Sequence, residues 1–177
     1  MNWLATGATA WDYGTMPLRV TAYGTDTFDD IRTELVSSVR CIVRVGTQIV
    51  LCENRDGAHP LPGGRREPGE TYHDTVCREV HEETGWHLDR DSLRPLGWLR
   101  LEHLSPQRPK DPHPYPVFLQ LIYTGTAHSR TSESWSDIDG YELRSSLTTV
   151  EEARRRTSND LLAHSFLDLV EHSINHC

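Results

Sequence analysis

No apolar run in the sequence comes near the roughly 20 residues that a membrane-spanning helix needs, so no membrane span is expected. The first residues, MNWLATGATAWDYG, have neither a basic head nor a continuous apolar stretch, and a secretory leader is not expected either. Basic charge is also short: Lys and Arg total 18 against 26 for Asp and Glu, a formal net charge of −8 with 10 His counted neutral. A chain held to nucleic acid mainly through phosphates carries the opposite balance, so no DNA-binding module is expected. The four cysteines, Cys41, Cys52, Cys77 and Cys177, form no CxxC pair and have no zinc spacing. Three of them lie in apolar segments and read as small buried thiols, in keeping with a reducing, cytoplasmic location. What is present, 36% hydrophobic and 25% charged residues in 177, suits one globular domain.

Residues 1–35 are mixed in character, punctuated by Gly7, Gly14, Pro17 and Gly24, and read as an arm or leading strand with a short strand at Leu18–Tyr23. The domain proper is placed at 36–177. Val36–Val45 and Gln48–Glu53 are rich in β-branched residues and flank Gly46-Thr47, a hairpin signal. Asp56-Gly57 and Pro60–Gly64 predict a loop that breaks regular structure before residue 70. A helix follows, with Thr71 as N-cap, Asp74 as the acidic half of a capping box and Gly85 as the stop. At 100° per residue Val76, Cys77, Val80 and Thr84 share one arc with His73, and Glu79, Glu82 and Glu83 share the neighbouring arc. Leu93–Leu104 and Pro116–Thr126 predict two more strands, joined by the proline-rich Ser105–Pro114. Thr126–Gly140 reads as a polar loop, and Val150–Arg156 and Asp160–His172 as helices. Strands mainly first with helices interspersed predict an α+β fold, a mixed sheet covered by helices.

The informative stretch is Gly64–Trp86. Glu79, Glu82 and Glu83 stand at i, i+3 and i+4, so their carboxylates converge over about one helical turn. Alone, three clustered acids describe a solvated helix face more readily than a metal site. Their neighbours sharpen the reading. The turn Pro62-Gly63-Gly64 can bring backbone groups beside the acids, because glycine permits close approach. Glu70 is placed to pair with Arg78, and such a fork would pin the loop to the helix. Mg²⁺ takes oxygen ligands and bridges a few carboxylates to substrate phosphates.

Gly64, five residues, Glu70, seven residues, then Arg78-Glu79-Val80-His81-Glu82-Glu83-Thr84-Gly85-Trp86 resembles the Nudix box throughout, with Leu61-Pro62-Gly63 similar to its usual lead-in. The resemblance implies an α/β/α sandwich, a box forming loop–helix–loop, and a hydrolase cleaving a diphosphate linked to another moiety, commonly a nucleoside diphosphate derivative, with Mg²⁺ or Mn²⁺. Carried over by position, it implies Glu79, Glu82 and Glu83 as metal ligands, one of them a candidate base, with Glu70 and Arg78 as supporting pair. Gly64 or Gly63 then contributes backbone to the metal or phosphate shell. Some family members take the base from a downstream loop, for which Glu102, Glu133, Asp137, Asp139 and Glu142 are the candidates here. A homodimer is compatible with the family.

The box specifies chemistry and leaves the substrate to the N-terminal arm and the outer loops. Trp98, Tyr115 and Trp135 are candidates to stack on a base, and Arg108 or Lys110 to reach distal phosphates. Packing beneath loops is the ordinary role of such aromatics. Asp111–Val117 faintly echoes the signature of the NADH pyrophosphatase branch. It departs in its flanks, lies far from the box and comes without that branch's zinc module, so NADH specificity is not expected. Two other functions compete: a nucleotide-metabolite sensor using the same pocket, and an isoprenoid-diphosphate enzyme, which would want an apolar pocket and a catalytic thiol.

Overall fold

The computed structural model describes residues 1–11, 14–131, 142–157 and 160–175. In chain order the strands are β1 (Asn2–Trp11), β2 (Met16–Gly24), β3 (Val36–Val45), β4 (Gln48–Asn54), β5 (Gly57–His59), β6 (Gly63–Gly64), β7 (Trp86–Leu88), β8 (Arg94–His103), β9 (Val117–Arg130) and β10 (Glu142–Thr148). Helix α1 (Tyr72–Thr84) stands between β6 and β7, and α2 (Val150–Arg156) and α3 (Leu161–Asn175) follow β10. The main path of the sheet runs β1-β2-β8-β9-β3-β4-β10. β3 and β9 pair parallel and the other neighbours antiparallel, so the sheet is mixed, as expected. Among the described residues no helix is long and apolar enough to cross a membrane.

Strand alternation splits the core into two layers. Leu18, Val20, Ile42, Leu99, Leu101, Phe118 and Ile122 face Ala153, Phe166, Leu167 and Val170 of α2 and α3. Val39, Cys41, Val43, Val50, Trp98, Leu121 and Tyr123 face Val76 and Val80 of α1 on the other side. Each fully buried Leu, Val or Phe side chain contributes roughly 1.5–3 kcal/mol by leaving water, so the sandwich is held from both faces. Close approach also matters. A Cβ on Gly97 of β8 would stand 2.6 Å from the Phe166 ring, which only glycine lets sit against the strand.

The hairpin at Gly46-Thr47 forms, but only Arg44↔Ile49 and Val45↔Gln48 pair before the strands part. The first half of β3 then pairs with β6, Val39 with Gly64 and Arg40 with Gly63, and Cys41 N–H donates to the Pro62 carbonyl at 3.0 Å. This parting of β3 from β4 opens the sheet for the 61–64 turn and sets it against α1.

Three expectations need correction. The stretch before residue 70 is not free of regular structure, since β5 pairs with β4 and β6 with β3. Thr126–Arg130 is not loop: β9 runs on because β7 supplies partners, Trp86 to Arg130 and Leu88 to Ala127. Asn2–Trp11 is a full strand paired along β2, in addition to the anticipated Leu18–Tyr23 strand. Most of β1 is exposed, so it carries no burial rhythm that sequence could show. Cys41 and Cys52 are buried free thiols and Cys77 is half-buried, while Cys177 lies outside the described residues.

Candidate active site

Helix α1 begins as its sequence dictates. The Thr71 hydroxyl accepts from Asp74 N–H at 3.2 Å, and the Asp74 carboxylate accepts from Thr71 N–H at 2.8 Å. The helix ends at Gly85, whose φ of 73° is the left-handed cap that glycine adopts without strain. Thr75, Val76, Val80 and Thr84 are its buried residues, which turns the Glu79, Glu82 and Glu83 stripe toward the 61–64 turn.

Arg78 organises that stripe. Its Nε and Nη2 donate to the two Glu70 oxygens at 2.7 and 3.0 Å, the expected fork. Nη2 also reaches the Arg65 carbonyl at 3.1 Å, while Nη1 bridges Glu79 and Glu82 at 2.9 and 3.0 Å. Glu70 accepts two further bonds, from Glu67 N–H at 2.9 Å and the Thr75 hydroxyl at 2.8 Å. The Arg78 guanidinium, with that support, lowers the Glu70 carboxyl to about 2. One guanidinium thus serves three carboxylates, and the excess negative charge stays on the helix face. Burial raises the Glu79 carboxyl above its ordinary value against the opposing pull of Arg78. Glu83 accepts from Gly63 N–H at 2.7 Å, which ties the far end of the stripe to the turn.

The two glycines serve different ends. Gly63 has φ 144°, and a Cβ there would meet β3 backbone, 2.7 Å from Arg40 Cα. At Gly64 the atoms nearest a Cβ all belong to the Glu79 carboxylate, with Oε1 at 2.5 Å. A carboxylate end can swing aside where backbone cannot. Gly64→Ala is therefore expected to shift thermal stability by less than about 1 kcal/mol while lowering turnover about tenfold or more through displaced Glu79. Parallel melting and rate measurements check both halves.

Among the described residues, no three carboxylate, thiol or imidazole groups are drawn together as a ready metal cage. The donor chemistry nonetheless fits Mg²⁺ or Mn²⁺: three carboxylates without thiol or imidazole, beside a turn where Gly64 leaves Glu79 against bare backbone.

Beside the stripe lies a cleft of about 660 Å³ on the α3 side of the sheet. Glu83 and Arg40 stand at one part of it; Leu99, Leu101, Val20 and Gln120 line the sheet, and Thr6–Thr9 with Trp11 and 160–163 complete the wall. Sequence reading anticipated an arm at the site but not Arg40 or Gln120. The guanidinium of Arg40 makes one hydrogen bond among the described residues, to the Leu61 carbonyl at 2.9 Å.

The substrate-contact candidates fall elsewhere. Trp98 is 8% exposed and stacked on Tyr23 at 4.4 Å, on the sheet face opposite the cleft, so it belongs to the core. Arg108 bonds Thr15 at 3.1 Å and the Met16 sulfur at 3.4 Å, fastening its loop to β2 rather than reaching the box. Tyr115 is exposed beside His103, with ring centroids 5.4 Å apart, and Trp11 takes the cleft position instead. Glu102 is paired with Arg100 at 2.9 Å and Arg19 at 3.3 Å. Lys110 sits in the 105–116 connection with φ 63°. Glu133, Trp135, Asp137 and Asp139 lie outside the described residues, as does the Glu142 side chain.

The family model described as the NUDIX domain matches residues 34–169. Among curated proteins, the NAD-capped RNA hydrolase NudC of Vibrio parahaemolyticus is 47% identical over 49 residues, 26% of this chain and 19% of that protein. The uncharacterized Nudix hydrolase YvcI of Bacillus subtilis is 33% identical over 63 residues, 35% of this chain and 40% of its own. The chain thus spans less than half the length of either relative. Among solved structures, the Bacillus subtilis pyrophosphohydrolase BsRppH superposes with a TM-score of 0.62 at 19% identity, over 94% of this chain and 97% of that one. A NUDIX hydrolase from Nitrosomonas europaea gives 0.60 at 18% identity, over 78% and 90%. At those identities the likeness is one of fold.

Proposed function

The chain belongs to the Nudix family, and from that premise we propose that it hydrolyses the diphosphate linkage of a nucleoside diphosphate derivative by attack of water on phosphorus, dependent on a divalent metal ion. The observation that carries this reading is the join between stripe and cleft: Glu83 is bound to the Gly63 N–H and also lines the cavity, with Arg40 beside it. Glu79, Glu82, Glu83 and the Gly64 backbone would hold Mg²⁺ or Mn²⁺. Such an ion supplies positive charge against the phosphoryl oxygens and makes water more acidic.

The chain's own residues do the remaining work. Arg40 offers guanidinium donors to a phosphate, one being spent on Leu61. The Glu70–Arg78 fork holds the stripe in register with the turn. One carboxylate of the stripe accepts the proton of the attacking water. Residues 1–35 act as the arm that walls the substrate cleft, and 36–177 as the hydrolase domain. Arg40→Ala is expected to raise KM about tenfold or more with a smaller change in kcat, because it removes a phosphate contact present before and during reaction; steady-state kinetics separates the two.

The test is a mass-spectrometric turnover screen with Mg²⁺, Mn²⁺ or EDTA. Its panel holds nucleoside triphosphates, nucleotide sugars, ADP-ribose, NAD, other dinucleotides and isoprenoid diphosphates. Metal-dependent loss of a nucleotide with phosphate-bearing products is the expected result. Turnover of isoprenoid diphosphates alone, or binding without turnover, overturns the reading.

A further inference from the structure

Gln120 lies within the run Val117–Tyr123 of β9, between Phe118 and Ile122, whose side chains pack on the α3 side. It is only 4% exposed, lines the cleft, and makes no side-chain hydrogen bond among the described residues. Its register partner on β3 is Ser38, on the same face as Arg40, and the Ser38 hydroxyl is likewise buried without a partner. Buried amides and hydroxyls are nearly always satisfied within a folded chain. Here the Ser38 hydroxyl is left over beside Gln120, whose side chain lines a cavity that also holds Glu83 and Arg40.

We propose that Gln120 is the specificity-determining residue of the cleft and that it reads a purine base presenting a donor beside an acceptor, as adenine does with its N6 amino group beside a ring nitrogen and guanine with N1–H beside O6. This rests on the hydrolase reading for its account of the phosphate end. A glutamine amide carries one acceptor oxygen and an NH₂ donor, so it pairs with such an edge through two parallel bonds. Leu99 stands directly across from Gln120 on β8, and Leu101 follows on the same face, so the amide is flanked by an apolar floor that suits the flat side of a base. An isoprenyl chain has no polar atom for the amide. A bare sugar phosphate leaves the leucine floor uncovered.

Isothermal calorimetry with AMP, GMP and ribose 5-phosphate as probes tests the assignment without turnover. The expected result is AMP binding at least tenfold tighter than ribose 5-phosphate. Gln120→Leu is expected to abolish that advantage and leave ribose 5-phosphate binding unchanged. Because leucine removes a buried polar group that has no partner, the thermal midpoint of this variant without ligand should not fall. Gln120→Glu, whose carboxylate only accepts, should shift the AMP-to-GMP preference at least tenfold toward GMP, which presents N1–H and the N2 amino group together. Equal binding of AMP and ribose 5-phosphate would overturn the proposal. So would equal weakening of all three probes in Gln120→Leu. Gln120-dependent AMP binding beside a blank turnover screen would instead reject the hydrolase reading and leave this assignment standing.

Discussion

Glu83→Gln is expected to lower kcat by about 10²–10³ with the fold intact, a loss of the size that removal of a general base or an electrostatic group at a phosphoryl centre produces. The substitution isolates charge from position. A glutamine oxygen still accepts the Gly63 N–H now bonded at 2.7 Å, so the turn remains tied to α1. What disappears is a negative charge at the junction of stripe and cleft. Steady-state rates at saturating Mn²⁺, beside thermal melts, provide the check. A rate within tenfold of the unsubstituted protein would remove Glu83 from the chemistry, and a collapsed melting transition would show that its charge serves the fold.

Arg78→Ala is expected to cost both stability and activity. The guanidinium is 23% exposed and holds Glu70, Glu79 and Glu82, whose side chains are 17%, 14% and 34% exposed. Removing it strands partly buried carboxylates beside one another. The penalty expected from chemical denaturation is about 3 kcal/mol, as for a buried ion pair broken from one side. Turnover should fall about 10–100-fold, the usual effect of losing a group that orients metal ligands. Arg78→Lys restores the charge without the fork, since an ammonium cannot match both Glu70 oxygens. Stability regained without activity in the lysine variant is the signature of positioning. Full activity in Arg78→Ala would refute the role given to the pair.

The parts legible in the sequence were those whose physics is local. The Thr71/Asp74 box, the Gly85 cap and the Glu70–Arg78 fork involve groups within about two helical turns, and spacing alone brought them together. The inward arc of α1 was legible for the same reason, although Thr75 joined it and Cys77 is only half-buried. Trp98 and Arg108 could not be placed this way. Their surroundings depend on which strand face packs on α1 and on where the 105–116 connection meets β2. Two signals did exist for the residues left out. Arg40 stands between Ser38 and Ile42 on the α3-facing side of β3, a charge within the β-branched run Val36–Val45, and Gln120 is a single amide within Val-Phe-Leu-Gln-Leu-Ile-Tyr. A polar residue at an inward strand position needs a partner or a ligand, and each can be noticed before any fold is known.

The sequence by itself determined the chemistry-bearing helix, its caps, its carboxylate stripe and the family to which the chain belongs. Only the tertiary structure decided the cleft. That cavity is built where β3 parts from β4 to admit the 61–64 turn, and where β1, pairing with β2 almost forty residues before the box begins, becomes its wall. Helical spacing is written into neighbouring residues, because hydrogen bonds four apart enforce it. Strand order and sheet face arise from partners far along the chain, and no local pattern contains them.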